Sequence, residues 1–299
     1  MFQKRTDLAL EARELWQETA EHGTQLSGVK VVKSRQEGYP VTQVEILDSR
    51  GESALGKPQG CYITLDFSSF WERRPNFFER AVRALGDRLK ALIPSDGPAL
   101  IIGLGNAAMT PDAIGPLALE SVLVTRHLIA AMPKQFSGFR PVAVFRTGVL
   151  GTTGFESAEA VQGLTEQVKP ALIIAIDALA SRRTGRVCTT IQLSDTGIIP
   201  GSGVGNHRMA LNQETLGVPV YAIGVPTVVD AATLAADLLE DVGIADEIDS
   251  DKLRESRQNF MVTPRDIDAQ VRDLAKVIGY GINWALQDLD IEDINALLN

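Results

Sequence analysis

Cysteine and histidine are scarce in this sequence, and positive charge is outnumbered by negative. Its 299 residues include two cysteines, Cys61 and Cys188, and three histidines, His22, His127 and His207. Two cysteines are too few for a disulfide scaffold, and their spacing forms no metal-binding pair. Both read as reduced thiols in a reducing compartment. There is no His-Glu-x-x-His helix and no Gly-x-Ser-x-Gly elbow. A Ser–His–Asp triad would have to recruit His207 and a serine that no other feature supports. Lys and Arg number 29 against 38 Asp and Glu, a formal net charge of −9. That argues against a surface devoted to nucleic acid or anionic lipid, which needs a basic footprint. It does not exclude a protein substrate that itself binds nucleic acid. The first residues, Met1 to Asp7, lack the apolar run of a signal peptide, and no apolar stretch reads as long enough to span a membrane. The expected location is the cytoplasm.

What remains is an ordinary globular composition, 44% hydrophobic and 22% charged, in a chain long enough to bury a sizeable core without a staple. Residues 10–21 read as a short helix. Segments 29–33, 41–46 and 62–67 read as strands whose short spacing suggests antiparallel pairing at a sheet edge. From 74 the period changes to that of an amphipathic helix, over 74–93. Unalternating apolar runs follow at 98–104, 141–147 and 171–177, each suited to a strand covered on both faces, with further strands at 189–193 and 219–225. Helices are expected at 117–131, 157–168, 229–241, 266–287 and 290–298. The charged stretch 246–258 reads as a mobile loop. Strands alternating with helices predict an α/β fold, a mostly parallel sheet with helices on both faces and an antiparallel N-terminal extension, in one domain over 1–299.

In an open parallel sheet ligands bind beyond the carboxyl ends of the strands, so the residues just after each apolar run carry the information. The first segment, Gly103-Leu104-Gly105-Asn106 through Thr110-Pro111-Asp112-Ala113, turns sharply on its glycines. It holds Asp112 in or beside a rigid loop, where it serves either as a helix cap or as a catalytic carboxylate. The segment also fits Gly-x-Gly-x-x-Ala, but a dinucleotide site needs a helix opening at once and an acidic residue ending the second strand. Here that strand runs into Arg146-Thr147-Gly148. The second segment ends an apolar strand on Asp177, a costly place for a carboxylate with no task; a structural cap for the next turn is the alternative. The third, Ser194 to His207, is a glycine-rich loop whose open amides suit a peptide or an oxyanion, or a plain connection. Its Asp195-Thr196-Gly197 spells the motif of pepsin-like proteases, which are all-β and need two copies.

Taken together, these segments resemble the spore germination protease family. The resemblance rests on Arg5-Thr6-Asp7-Leu8-Ala9, the Gly103–Asn106 and Thr110–Ala113 blocks, Ile176-Asp177-Ala178-Leu179, and Ser194–Gly197 with Pro200–Asn206. It ends with Ile223-Gly224-Val225-Pro226-Thr227-Val228-Val229-Asp230. The blocks span nearly the whole chain in family order. The resemblance implies a fold like that of hydrogenase maturation peptidases and a homotetramer that needs no cofactor. It implies an aspartic-type endopeptidase of the cytoplasm of the spore core, which initiates the breakdown of small acid-soluble spore proteins at germination. It places the two essential aspartates on Asp112 and Asp177. No direct contact with nucleic acid or membrane is implied.

On this reading the two carboxylates share a proton and activate a water. Gly203, Gly205 and Asn206 are the expected substrate-binding residues, through backbone amides. The competing reading is a metal-dependent or metal-sensing peptidase related to the maturation enzymes, with Asp112, Asp177 and His207 as ligands. No metal is expected, because one histidine and aspartates on separate loops make a poor ligand set. Family members are made as zymogens with a short pro-segment, whereas only four residues precede Arg5 here. Activity is therefore expected without prior N-terminal shortening. Mass spectrometry of the enzyme before and during cleavage checks this, and an obligatory loss of N-terminal residues would refute it.

Overall fold

The computed structural model describes residues 5–20, 26–201, 208–243 and 260–298; the expected mobile loop at 246–258 lies outside them. Nine strands among these residues form one twisted sheet, ordered β1-β2-β3-β7-β8-β6-β4-β5, with β9 added to the far end of β8. Strands β1 (Val29–Gln36), β2 (Tyr39–Ile46) and β3 (Gly60–Asp66) make the antiparallel extension, which continues through β7 (Thr190–Ser194) onto β8 (Val220–Asp230). Strands β4 (Ala99–Leu104), β5 (Val142–Gly148), β6 (Leu172–Ser181) and β8 run parallel as one block. β9 is the pair Met261–Val262.

The apolar runs explain the parallel block. Alternate residues of β4 and β6 serve two cores. Ile101, Leu172, Ile174 and Ile176 pack in one cluster with Leu85 and Leu89 of the helix Phe77–Leu92 and with Leu274 and Ile278 of the helix Ile267–Leu286. Leu100, Ile102, Leu104, Ile173 and Ala175 pack in a second cluster under Ala158 and Val161 of the helix Ser157–Val168. Strands covered on both faces cannot alternate polar with apolar side chains, so they read as continuous runs.

Several elements differ from the sequence expectation. A single helix over 117–131 is not formed. The stretch is broken into Ile114–Ala118, a 3-10 turn Leu119–Ser121 and Arg126–Ala131, with Val122 extended. Tertiary partners take the backbone groups that a continuous helix would use: the Leu123 amide donates to Asn283 Oδ1 at 2.9 Å and the Thr125 amide to the Val142 carbonyl at 3.1 Å. Residues 114–131 also have the length and apolar composition of a membrane span, contrary to expectation. They fold as these short pieces against β4 and the helix Ile267–Leu286. A short helix, Ser49–Leu55, was not anticipated; the Asp48 side chain caps it by accepting from the amides of Arg50 and Gly51. Strands β6 and β8 run on past 177 and 225, to Ser181 and Asp230.

The helix Ile114–Ala118 lies close on the sheet through Gly115. A Cβ there would meet the carbonyl oxygens of Leu104 at 2.4 Å and Ile176 at 2.6 Å, both backbone and unable to yield. Gly115→Ala is expected to lower stability by about 1–3 kcal/mol through overpacking. Urea denaturation measures this, and an unchanged midpoint would contradict the close packing.

Candidate active site

The chain runs from β4 outward to β5 on one side, while β6 returns on the other side of β4. Connections therefore diverge at the carboxyl ends of β4 and β6, which leaves a crevice there. A cavity of about 310 Å³ occupies it. Both Asp112 and Asp177 line this cavity, with Asp7, Arg208, Ile199 and Thr227 among the other walls.

Asp112 closes a 3-10 turn, Thr110–Asp112, whose second residue, Pro111, has its φ fixed by the ring. The turn folds back over the end of β4. The Asn106 amide donates to Asp112 Oδ2 at 2.7 Å, and the Asp112 amide donates to the Met109 carbonyl at 2.8 Å. Gly105 makes the fold-back possible. Its φ is +103°, and a Cβ would lie 2.1 Å from the Asp112 carbonyl oxygen, so glycine is required on both counts.

Asp177 does not end its strand as expected from the sequence. β6 continues four residues beyond it, because Ala178 to Ser181 pair with β8 and because the N-terminal segment binds the same stretch. The Asp7 amide donates to the Ala180 carbonyl at 2.9 Å, and Asp7 Oδ2 accepts from the Ala180 amide at 2.8 Å. Asp177 projects on the same face as Ile173 and Ala175 but beyond the helix that covers them, so its carboxyl enters the crevice at only 5% exposure. Its Oδ1 accepts from the Ala178 amide at 2.9 Å.

Burial raises both carboxyls above the ordinary range, to different extents. For Asp112 the Asn106 amide and the Arg208 guanidinium oppose burial, so the rise is limited. For Asp177 burial is the largest cause and the Asp112 charge the second. Asp7 adds to them, against the Ala178 amide and Arg208, and the carboxyl stands well above its usual value. Asp177 thus feels the charge of Asp112 across the crevice. Arg208 is the one cationic side chain among the described cleft residues, and it lies 3.9 Å from Glu156.

The remaining expected residues divide. Gly203, Gly205 and Asn206, and His207 of the competing reading, lie outside the described residues. The adjoining Ile199, Pro200 and Gly201 do line the cleft. Asp195 serves structure, accepting from the Cys61 amide at 2.8 Å. Among the described residues no three His, Cys, Asp or Glu side chains group as metal ligands would. Asp7, Arg208 and Thr227 were not singled out from sequence as site residues. Asp7 and Thr227 stand in blocks that carry the family resemblance, but nothing local in them signals a place beside the carboxylates.

Two acidic groups of unequal proton affinity in one crevice at a switch point define an α/β protein equipped for acid–base chemistry. The family profile described as germination protease matches residues 9–244. The chain is 44% identical to the germination protease of Caldanaerobacter subterraneus subsp. tengcongensis, over 99% of this chain and 98% of that one. It is 42% identical to that of Clostridium perfringens strain ATCC 13124, over 100% of both, and 38% identical to that of Bacillus cytotoxicus, over 94% and 93%. A [NiFe] hydrogenase maturation protease, HycI from Thermococcus kodakarensis, aligns at 18% identity and a TM-score of 0.36, over 66% of this chain and 99% of that one, too remote to argue from. The chain belongs to the germination protease family: it is an endopeptidase, and its substrate is protein.

A carboxyl whose folded value is raised costs stability once it must ionise. Below about pH 4, the unfolded value, Asp177 is protonated in both states. As pH rises from there through the raised folded value the unfolded chain sheds its proton first, and stability falls. Asp177→Asn removes that loss. Its melting temperature is expected to match the parent at acid pH and to exceed it increasingly towards neutrality, by roughly 2–4 °C per kcal/mol relieved. Thermal melts across pH test this; a difference independent of pH would contradict it.

Proposed function

We propose that cleavage is of the aspartic type and that Asp112 and Asp177 carry it. The observation behind this is the cleft itself: the two carboxyls line one cavity, and the charge of Asp112 is the second cause of the rise at Asp177. The unequal environments suggest the roles. Asp112, whose rise an amide and a guanidinium limit, is the ionised member and takes a proton from the attacking water. Asp177, the more buried, keeps its proton and donates a hydrogen bond to the scissile carbonyl oxygen as charge develops there. The proton gained by Asp112 then passes to the leaving nitrogen, and the tetrahedral centre collapses to acid and amine with the pair restored.

The substrate proposed is the small acid-soluble spore protein class, cleaved in the cytoplasm of the spore core by a homotetramer from a family of zymogens. Family membership supports this reading, together with blocks spread along the chain in family order. Backbone amides of Gly203, Gly205 and Asn206 are proposed to hold the substrate main chain, since the loop enters the cleft at Ile199 to Gly201.

Asp112→Asn and Asp177→Asn preserve shape and remove a titrating group. Each is expected to abolish most cleavage of a purified acid-soluble spore protein, read as fragments by mass spectrometry. The double variant should be little worse than either single, because the pair acts as a unit. Either single variant cleaving at close to the parental rate would defeat the proposal. Chelation is expected to leave the rate unchanged; loss of activity that added metal restores would favour the reading with His207 as a third ligand.

A further inference from the structure

The segment Gly224-Val225-Pro226-Thr227 runs through β8, which is hydrogen-bonded along β6, and it contains a residue that cannot donate to a ladder. Pro226 is accommodated because the pairing is irregular there. Leu179 faces Pro226 and Ala180 faces Val228, so Thr227 is an extra residue with no partner in β6. A bulge of this kind re-aims a side chain. Thr227 is fully buried, and its Oγ1 donates to the Pro111 carbonyl at 2.6 Å. Its own carbonyl accepts from Thr263 Oγ1 at 3.0 Å.

Pro111 immediately precedes Asp112. The other hydrogen bonds of the 106–113 turn are internal to it, apart from an exposed one from Thr110 to Asp268 on a helix and one that the Ala113 carbonyl accepts from the Leu117 amide of the next helix. Among the described residues, Thr227 thus supplies the turn's one hydrogen bond to the sheet. The strand that supplies it is also paired with the strand of Asp177, Gly224 lying opposite Asp177 itself.

We infer that Thr227 is a positioning residue for peptide cleavage, its hydroxyl fixing the reach of Asp112 toward Asp177 through the Pro111 carbonyl. The inference rests on the aspartate-pair reading. Two carboxyls on separate segments share a water only if their separation is held, and a misplacement of about 1 Å costs up to about 100-fold in rate. A single buried bond from the bulge supplies that constraint.

Thr227→Val removes the hydroxyl at similar volume, and Thr227→Ser keeps it. Steady-state cleavage is expected to show kcat lowered between about 10- and 100-fold in the valine variant, with KM little changed. The serine variant should retain most of the parental kcat. A valine variant with parental kcat would overturn the inference, as would a serine variant as impaired as valine, or a loss confined to KM. Should the valine variant fail to fold, Thr263→Val carries the test. It removes the bond that seats the Thr227 backbone and is expected to lower kcat in the same direction, with unchanged kcat overturning the inference. Asp112→Asn run alongside separates the two ideas. Cleavage by that variant defeats the aspartate pair, whereas its inactivity beside a fully active Thr227→Val defeats only the positioning role.

Discussion

The parallel ladder between β4 and β6 is the constraint on which the site depends. It pairs Ala99 with Leu172 and runs in register to Gly103 beside Ile176. One residue later β6 carries Asp177. On the β4 side the chain leaves the sheet, turns at Gly105 and returns Asp112 to the same crevice. A slip of one residue would turn Asp177 to the opposite face, among the apolar side chains under the helix Phe77–Leu92. The ladder is fixed because both faces are buried: each alternate residue already fills one of two cores.

Placing a carboxyl at the end of such a strand is unfavourable, and the surrounding structure manages the cost rather than removing it. Asp177 receives one amide bond and no cation in direct contact among the described residues. Instead the strand beneath it is held rigid. The N-terminal segment bridges Ala180 through both the amide and the carboxylate of Asp7. Glu11, fully buried, accepts from the amides of Arg182 and Arg183 and pairs with Arg186. These bonds satisfy backbone groups past the end of the ordinary ladder. The extension of β6 is thus built by residues far away in sequence, and it keeps a proton-holding carboxyl in a defined place.

Much of the fold was legible beforehand. The continuous runs at 98–104 and 171–177 are strands because nothing else buries so many branched side chains on both faces in so few residues. The alternation at 41–46 gave a strand of the antiparallel edge for the complementary reason. The expected helix at 117–131 is not formed, because competing tertiary partners leave no local signal. Asn283 and Val142, both remote in sequence, offered better partners to the amides of Leu123 and Thr125. The ends of β6 and β8 lie beyond the apolar runs for the same reason: past residues 177 and 225 their pairing depends on each other, on β9 and on the N-terminal segment.

The sequence by itself determined the α/β class and, through the family blocks, singled out Asp112 and Asp177 as the proposed pair. Those features rest on local composition and order along the chain, which need no folding to be read. Only the tertiary structure decided that Asp7 and Arg208 share the crevice, that Asp177 is the more strongly proton-holding carboxyl, and that a bulge aims Thr227 at the turn carrying Asp112. Each of these depends on the distance between residues separated by scores of positions, and distance is set by strand order and register, which no local pattern encodes.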